Sequence, residues 1–475
     1  MRIPRVGLLI AVGVLTACAL STPPESARIL ADALPPETTV PGTWRAEATT
    51  GAVTDDWLRG FDDPTLNALV AEALAHNRDL AQAAENVRIA QQAITVVGSR
   101  LLPWVGAQAG SRFTYDEDHN GGTNSSIAIA GVAWEADVWG RLRAQRTATE
   151  ATVQATALDY SFARQSLAAT VAKAWYIASE MRQLLALAEQ SVAVFDELLR
   201  LVKFRRAAGK DTDLDIADTR AKLDMARAQV ASVTADYGEA RRALEVLLGR
   251  YPAGGIDALL ELPPLRLLIG VGVPSALLAR RPDLAAAEQR VLSAFRQQEA
   301  ARLALLPNFS ISLTGGRLGD KILSVLNLNP WLATASVGLS IPIYEGGALR
   351  AQVEIATAQQ AQAVAAYGAS VLTAFREVEN ALANEQLVAK RLPLEESALA
   401  NGDEALRVAK IQYQAGSRDL LWVANLQADQ LALAAVVIKT RSQQRLNRIA
   451  LHLALGGSFD ATPAAALTKA YPREQ

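Results

Sequence analysis

Two long stretches of the chain place apolar residues at helical spacing with almost no proline. Residues 141–208 hold 68 positions without a proline, and residues 348–415 contain only Pro393. The periodicity predicts a helix over each stretch. At 1.5 Å per residue such a helix extends about 100 Å, longer than a single globular core, so each helix must pack lengthwise against others. Pro393 predicts a kink or a break in the second helix.

Two other stretches, 104–139 and 308–344, alternate between apolar and small or polar residues with a period of two. The alternation is clearest where Phe309 and Ile311 alternate with serines. This period is typical of β-strands with one apolar face, so each stretch predicts a β-hairpin. In the first hairpin the alternation shifts phase at Gly131, which predicts a β-bulge there.

Shorter helical patterns precede the hairpins and follow the long helices. Gly209 and Gly416 end the long helices and favour tight turns, because glycine adopts the left-handed conformation without steric cost. The chain is therefore expected to fold back at these two glycines. The predicted shorter helices are 65–101 and 276–305, before the hairpins, and 212–248 and 419–455, after the turns.

The same order of elements occurs twice. GRLRAQ at 140–145 and GALRAQ at 347–352 are 207 positions apart, and the turn glycines have the same separation. A separation kept without a gap over so long a stretch indicates an internal duplication. The predicted organisation is a signal peptide (1–17), a lipidated extended arm (18–60), a first repeat (61–249), a linker (250–275), a second repeat (276–456) and a tail (457–475).

The N-terminal residues have the charge and length of a secretory signal peptide. Arg2 and Arg5 precede an uncharged apolar run, and this run is shorter than the roughly 20 residues of a membrane-spanning helix. The only cysteine, Cys18, follows in the sequence LTAC, which resembles the bacterial lipobox. The resemblance implies that Cys18 is lipidated, and Ala19 after it favours the outer membrane. The alternative is a buried, unmodified cysteine.

Composition argues against an enzyme, a metalloprotein and a nucleic-acid-binding protein. The 47 basic and 49 acidic residues nearly balance, whereas a nucleic-acid-binding domain carries a clear positive excess. The three histidines lie in unrelated segments, and with one cysteine they give no metal-ligand spacing. The sequence contains no phosphate-binding glycine loop and no nucleophile motif. We therefore expect no catalytic residue, no metal and no cofactor.

Four strands per chain imply an assembly. Four strands cannot close a barrel, and open strand edges are not tolerated in lipid because no water bonds the free backbone groups. Three chains would supply twelve strands, an even number within the range of outer-membrane barrels. A bilayer core is about 30 Å thick, so the long helices must project out of it. The predicted fold class is mainly α with a membrane β-barrel portion: a long α-helical barrel plus four β-strands per chain, twelve in a trimer, with an internal two-fold repeat.

The chain resembles the TolC-type outer-membrane factor family, in its OprM-like or NodT-like lipoprotein branch. The resemblance rests on the lipobox, the duplicated helix–hairpin–helix unit, LLPW at 101–104, GRLRAQ at 140–145 and the Y-x-x-G turn at 413–416. It implies a homotrimeric exit duct of a tripartite efflux or secretion system, which lies in the outer membrane, extends into the periplasm and passes small molecules such as drugs to the exterior. It also implies outer-membrane lipid, a periplasmic adaptor (membrane fusion) protein and an inner-membrane pump of the RND type as partners.

Two other classes of lipoprotein stay open as alternatives. A lipid-anchored periplasmic adaptor is also rich in helical hairpins, but it has one hairpin between small β-domains and no long duplication. A coiled-coil structural lipoprotein would share the helices, but it has no use for strands with one apolar face.

The candidate functional residues lie at the two turns, where the resemblance implies a closing aperture. The family closes this aperture with hydrogen bonds and salt bridges between two hairpin tips. Asp215 stands six residues after Gly209, and Tyr413 and Arg418 flank Gly416, at positions that match the family pattern. The resemblance therefore implies a latch of Asp215 with Arg418 and with Tyr413. The alternative for Asp215 and Arg418 is an ordinary solvated surface.

Three further residues are gating candidates. Asp218 follows in the first tip, and Asp419 and Trp422 follow in the second. Some members of the family carry an acidic ring in the second tip, and here that ring is missing or moved to Asp419. Trp422 is either an apolar plug or a residue that packs between helices, and we favour packing. The remaining acids, Asp211 and Asp213, are expected to start a helix, because acids favour its positively charged end.

Overall fold

The structure is a computed structural model that describes most of the chain. The predicted signal peptide (1–17), Cys18 and most of the predicted tail (457–475) lie outside the described residues. The described residues are 20–46, 51–53, 55–116, 121–265, 270–319 and 332–459.

The described chain is mainly helical with four strands in one sheet, which confirms the predicted fold class at the level of the single chain. Short 3-10 helices cover Trp57–Phe61 and Ser99–Leu101. The strands are β1 (Trp104–Asp116), β2 (Gly121–Ala136), β3 (Asn308–Gly319) and β4 (Leu332–Ser340). The helices are α1 (Ser26–Ala33), α2 (Pro64–His76), α3 (Arg78–Gly98), α4 (Arg141–Ala207), α5 (Asp213–Leu247), α6 (Pro274–Arg280), α7 (Pro282–Leu303), α8 (Ala348–Gln414) and α9 (Leu420–Ala454).

The helix predicted over 65–101 is two helices, α2 and α3, because Asn77 interrupts it. The Asn77 side chain accepts a hydrogen bond from Leu80 N at 2.9 Å, which caps α3. Its amide group also donates to Leu247 O at 2.9 Å. A continuous helix was therefore the wrong prediction here, since a side-chain cap and a tertiary hydrogen bond outweigh the helical periodicity.

The helix predicted over 276–305 is also two helices, whereas the proline in the long helix causes no break. Arg281 is extended between α6 and α7, because the residue before a proline, here Pro282, is disfavoured in the helical conformation. Pro393 was predicted to cause a kink or a break, and of these the break is absent, since α8 continues through it. Pro393 and Ala389, whose carbonyl loses its donor, are both exposed. Water can therefore bond that carbonyl in place of the missing N–H.

The sheet is antiparallel with strand order β1-β2-β3-β4, so β2 and β3 join the two hairpins. Within the described residues, β1 and β4 each have one edge without a partner strand. Around Val132 and Ile311 the register separates an apolar face from a polar one, whereas farther along the strands Ile127 and Leu318 pair on the face of Ser312. Pairs on the apolar face include Val105 with Val132, Val132 with Leu313 and Ile311 with Val337, and pairs on the polar face include Ser312 with Ser336 and Thr314 with Thr334.

The predicted bulge at Gly131 is absent. Gly131 pairs in register with Gly106 on one side and with Thr314 on the other, and the ladder continues past it without an inserted residue. A Cβ at Gly131 would lie 3.3 Å from Thr314 Oγ1. The loss of alternation at this position therefore reflects a change of the face that carries the apolar residues, from that of Ile127 and Ile129 to that of Val132, and not an extra residue.

The chain folds into two compact units, and each unit draws on both predicted repeats. We call them the strand unit, which contains the four described strands, and the helical unit, which contains the turns at Gly209 and Gly416. The strand unit is Met1–Thr38, Glu85–Asp159 and Asp283–Ser370, and the helical unit is Thr39–Ala84, Tyr160–Pro282 and Val371–Gln475.

The N-terminal arm predicted at 18–60 is more structured than an extended segment. It contains α1, in which Ile29 is 2% exposed. Later in the arm, Trp57 is buried in the main apolar core of the helical unit together with Phe61, Trp175 and Tyr176 of the first repeat. The described part of the arm is thus not extended throughout, because a few large side chains that are far apart in the sequence bury it without producing a periodic pattern.

Candidate functional site

The helical unit has two hairpin tips with the same backbone construction. The first tip, residues 204–222, joins α4 to α5, and the second tip, residues 411–426, joins α8 to α9. Gly209 and Gly416 have φ angles of +71° and +78°, and a Cβ at either would meet nothing within 4 Å. Glycine is therefore required at these positions by the left-handed backbone conformation, and not by a lack of space for a side chain.

The helix that follows each turn begins at a capping side chain. Thr212 caps α5 and Asp419 caps α9, and each accepts a hydrogen bond from the backbone N–H three residues later. Such caps are worth about 1 kcal/mol each. The turn glycine and the cap together fix the path of the chain at both tips.

A shared apolar core joins the two tips. Tyr413 is 4% exposed, and Val202 and Val423 are more deeply buried. Burial of a large apolar side chain contributes about 1.5–3 kcal/mol, so packing is the main force that holds the four helix ends together. The buried members of this core are Phe195, Leu198, Leu199, Val202, Leu223, Ala226, Leu406, Ala409, Tyr413, Leu420, Val423, Ala424 and Leu431.

Arg205, Asp211 and Tyr413 form a contact between the tips, which we call the inter-tip contact. The Arg205 guanidinium lies 4.3 Å from the centroid of the Tyr413 ring, within the range of a cation–π interaction. Arg205 Nε also donates to both carboxylate oxygens of Asp211 at 3.2 Å. The Arg205 and Asp211 side chains are 22% and 7% exposed, so protein largely shields this ion pair from water.

The Tyr413 hydroxyl is buried and has no hydrogen-bond partner among the described residues. Burial raises the pKa of Tyr413 to about 12, and the nearby negative charge of Asp211 adds to this effect. The phenol is therefore neutral at physiological pH. Its ring makes the cation–π contact with the first tip, and its hydroxyl lies near the Asp211 carboxylate without the geometry of a hydrogen bond.

Asp215, a predicted latch residue, bonds within its own tip. Its Oδ2 accepts hydrogen bonds from Thr212 N at 2.7 Å and from Thr212 Oγ1 at 2.6 Å. In return, Asp215 N donates to Thr212 Oγ1 at 3.3 Å, which completes a capping box. Within the part of the chain that the structure describes, neither Tyr413 nor Arg418 bonds to Asp215. The structure thus does not bring the three predicted latch residues together in one chain.

The other predicted residues of the second tip contact one another. The Arg418 guanidinium lies 4.9 Å from the centroid of the Trp422 ring, and no described carboxylate pairs with it. Trp422 is partly buried against the shared apolar core, which supports packing rather than a plug. Asp419 accepts a hydrogen bond from Trp422 N at 2.9 Å, so its carboxylate caps a helix.

A lysine makes a second polar link between the tips. Lys222 Nζ donates to Asp218 Oδ2 and to Asn425 Oδ1, both at 2.7 Å. Asp218 and Asn425 occupy equivalent positions of the two repeats, 207 residues apart. One lysine, 20% exposed in its side chain, therefore bridges matching positions of α5 and α9.

Sequence reasoning missed Arg205 and Lys222, the two cations of these links. A usable signal was present, because two arginines end α4 and two aspartates follow within eight residues. Arg206 donates to Asp213 at 2.9 Å and holds the pKa of Asp213 below its usual value. Asp211 and Asp213 thus bind arginines across the turn, in addition to lying at the start of a helix.

The arrangement can act as a reversible fastening between the tips. Exposed ion pairs contribute about 0–1 kcal/mol, and hydrogen bonds to largely buried charged groups about 1.5–3 kcal/mol. These energies hold helix ends in place, yet a protein partner of ordinary affinity can overcome them. The described residues contain no group of three His, Cys, Asp or Glu side chains that could hold a metal ion.

The sequence matches a known family over most of its length. The family model described as "Outer membrane efflux protein" matches residues 69–250 and 273–457. The chain is similar to the outer membrane protein OprJ of Pseudomonas aeruginosa, with 31% identity over 476 residues and coverage of 97% of each protein. It is also similar to the pyoverdine export outer membrane protein OpmQ of Pseudomonas putida, with 29% identity over 417 residues, 85% of this chain and 88% of the relative.

The fold is similar to that of solved outer-membrane channels. The outer-membrane channel OprN has a TM-score of 0.80 and 25% identity to this chain, over 90% of this chain and 99% of OprN.

Proposed function

This chain belongs to the outer membrane efflux protein family, and from that premise we propose how it works. It is an outer-membrane channel, the exit duct of an efflux system. Family membership rules out the two alternative classes, the lipid-anchored periplasmic adaptor and the coiled-coil structural lipoprotein. The observation that carries the assignment is the double family match, 69–250 and 273–457, since each matched stretch contains one strand hairpin and one helical tip. The double match also supports two repeats of one unit.

We propose that three copies assemble and close a twelve-stranded barrel, with β4 of each chain beside β1 of the next. Two features of the strand unit support this assembly. The two outer strands have free edges among the described residues, and lipid does not tolerate such edges. Large side chains of the apolar face are exposed in the single chain, for example Phe113 at 68% and Val337 at 81%. Acyl chains on Cys18 would anchor each copy to the same membrane.

The proposed partners are a periplasmic adaptor and an inner-membrane pump of the RND type. They would deliver small molecules such as drugs to the duct, which passes them to the exterior without a chemical step. Support comes from the family, described as outer membrane efflux proteins, and from the relative OpmQ, which is named for pyoverdine export.

The two tips are the proposed closing end of the duct. The inter-tip contact and the Lys222 link hold the two helix pairs of one chain together, with Asp218 as one anchor of that link. Asp215, Asp419 and Trp422 keep the shape of the tips. Arg418 has no carboxylate partner among the described residues of its own chain, so in the trimer it is available to an acid of a neighbouring chain, such as Asp215.

The experiment that tests this function uses a strain that lacks this chain but keeps the adaptor and pump. The strain should accumulate fluorescent pump substrates and become more susceptible to a panel of toxic compounds, and the wild-type chain should restore both. The chain itself should fractionate with the outer membrane as a heat-modifiable trimer. A monomer outside that membrane, together with unchanged susceptibility across the panel, would contradict the proposal.

A further inference from the structure

The start of the described chain is bound to the strand unit through its backbone. Ser21 N and Ser21 Oγ both donate to Glu299 Oε1, at 2.7 and 2.6 Å, and Ser21 O accepts from Arg296 Nη1 at 2.8 Å. Arg296 and Glu299 pair with each other at 2.5 Å, and their side chains are only 11% and 14% exposed. Every hydrogen-bonding group of this serine is therefore held by a largely buried ion pair.

Further contacts continue along the same segment. Ser26 Oγ donates to Glu288 at 2.5 Å at the start of α1. Ile29 and Leu34 are then buried, at 2% and 8% exposure. The segment thus combines hydrogen bonds to the strand unit with buried apolar side chains, which is more than a flexible tether requires.

The end of α1 contacts the backbone of α8 directly. A Cβ built on Gly368 would lie 2.2 Å from Ala33 O, a distance that no real side chain tolerates. Glycine inside a helix costs about 1 kcal/mol relative to alanine, so α8 has an unfavourable residue where α1 rests on it. The close approach to Ala33 is the local feature that requires glycine there.

The other end of the segment lies at the boundary between strands and helices. A Cβ on Gly140 would lie 3.0 Å from Leu20 Cδ2. Gly140 has a φ angle of +86° and stands in the short connection between β2 and α4. Leu20 therefore contacts the point where the chain leaves the sheet.

We propose that residues 20–34 form a strap that fixes the lipid anchor beside the strands of its own chain. The inference rests on the proposed lipidation of Cys18. Cys18 precedes Ser21 by three residues, and an extended chain spans at most about 3.6 Å per residue, so the lipid is attached within about 11 Å of the clamped serine. The partner of this end of the molecule is the lipid surface next to the β2–α4 connection. The strap places the acyl chains there, whereas a loose tether would let them spread over the surrounding membrane.

The strap is tested by a substitution at Gly368 that favours the helical conformation of α8 but prevents the close contact of α8 with α1. In the full-length lipidated trimer, Gly368→Ala should increase hydrogen exchange of residues 20–34 at least tenfold, although alanine is the better helix former. Gly402→Ala is the matched control in the same helix. A Cβ there meets only Leu433 Cδ1, the end of a flexible side chain, at 3.0 Å. Equal exchange of the segment in Gly368→Ala, Gly402→Ala and the wild type would overturn the strap.

The position of the lipid is tested separately with a diazirine-bearing palmitate fed to the cells. Cross-links from Cys18 should concentrate on the peptides around 134–143 and 304–309 in the wild type and disperse in Gly368→Ala. Dispersed cross-links in the wild type would overturn the positioning of the anchor. The mass of the mature chain is an independent check: a chain without acyl groups would overturn the lipidation, and with it the positioning, while the efflux phenotype of the deletion strain would be unaffected.

Discussion

The two hairpin tips share a backbone and differ in the side chains that meet between them. Both turn at a glycine with positive φ, and both start the next helix with a cap three residues later. At the second position after the glycine the first tip has Asp211 and the second has Arg418. The positions that determine the path of the chain are thus alike, while the contact positions are not.

Because of this difference, the contact between the tips is asymmetric. The first tip provides the charges, Arg205 and Asp211, and the second tip provides the ring of Tyr413. The positions equivalent to Arg205 and Tyr413 in the other tip are Gln412 and Arg206, so the reciprocal contact cannot form. The duplicated fold therefore yields two helix pairs with complementary rather than identical ends.

The largest expected effect follows from removal of the aromatic half of the contact. Tyr413→Ala deletes a ring that is 4% exposed, and large-to-small changes of this kind cost about 3–5 kcal/mol. Hydrogen exchange at both tips should rise accordingly. Tyr413→Phe should change little, because the hydroxyl has no partner among the described residues. An equal effect of the two substitutions would show that the hydroxyl, not the ring, makes the contact.

The charged half of the contact should have the next largest effect. Arg205→Met keeps the aliphatic volume but leaves the Asp211 carboxylate, 7% exposed, without its partner, at a cost of about 1–3 kcal/mol. Gln412→Met at the equivalent position of the second tip is the control and should be nearly neutral. Local stability of the two tips, measured by hydrogen exchange, checks the pair. Matching losses in both variants would mean that the tips are not asymmetric.

The shared backbone predicts equal effects at the two turns. Gly209→Ala and Gly416→Ala force a Cβ into the left-handed conformation without any clash, so each should cost about 1–2 kcal/mol. Thermal unfolding of the two variants should therefore coincide. A clear difference between them would mean that one glycine is needed for something besides its φ angle.

The smallest change in the stability of a single chain is expected for Asp215→Asn with Arg418→Gln. The amide oxygen of asparagine can still accept the hydrogen bonds from Thr212 that complete the capping box. An exposed guanidinium contributes about 0–1 kcal/mol, so unfolding should hardly shift. In planar bilayers the pair should nevertheless raise the conductance of the trimer if these residues meet between chains. Unchanged conductance would remove Arg418 and Asp215 from the gate.

Local pattern predicted the helices and strands, but it could not predict contacts between distant segments. Alternation at Phe309 and Ile311 identified a strand because burial of one face imposes that period. By contrast, the break at Asn77 depends on Leu247, 170 residues away, and the partners of Tyr413 lie in the other repeat. The turns at Gly209 and Gly416 could be located because glycine has a local conformational meaning. The pairing of Arg205 with Asp211 had a local signal in the sequence, whereas the contact of Arg205 with Tyr413 had none, since it arises only when the four helix ends meet.

The central claim is that the tips limit flow through the duct and that the inter-tip contact holds them closed. The most direct measurement is the single-channel conductance of the purified trimer in planar bilayers, for the wild type, for Arg205→Met with Tyr413→Ala, and for Gly402→Ala as the control. The account predicts a several-fold higher conductance for the double variant and no change for the control. A double variant that remains trimeric and conducts as the wild type does would contradict it.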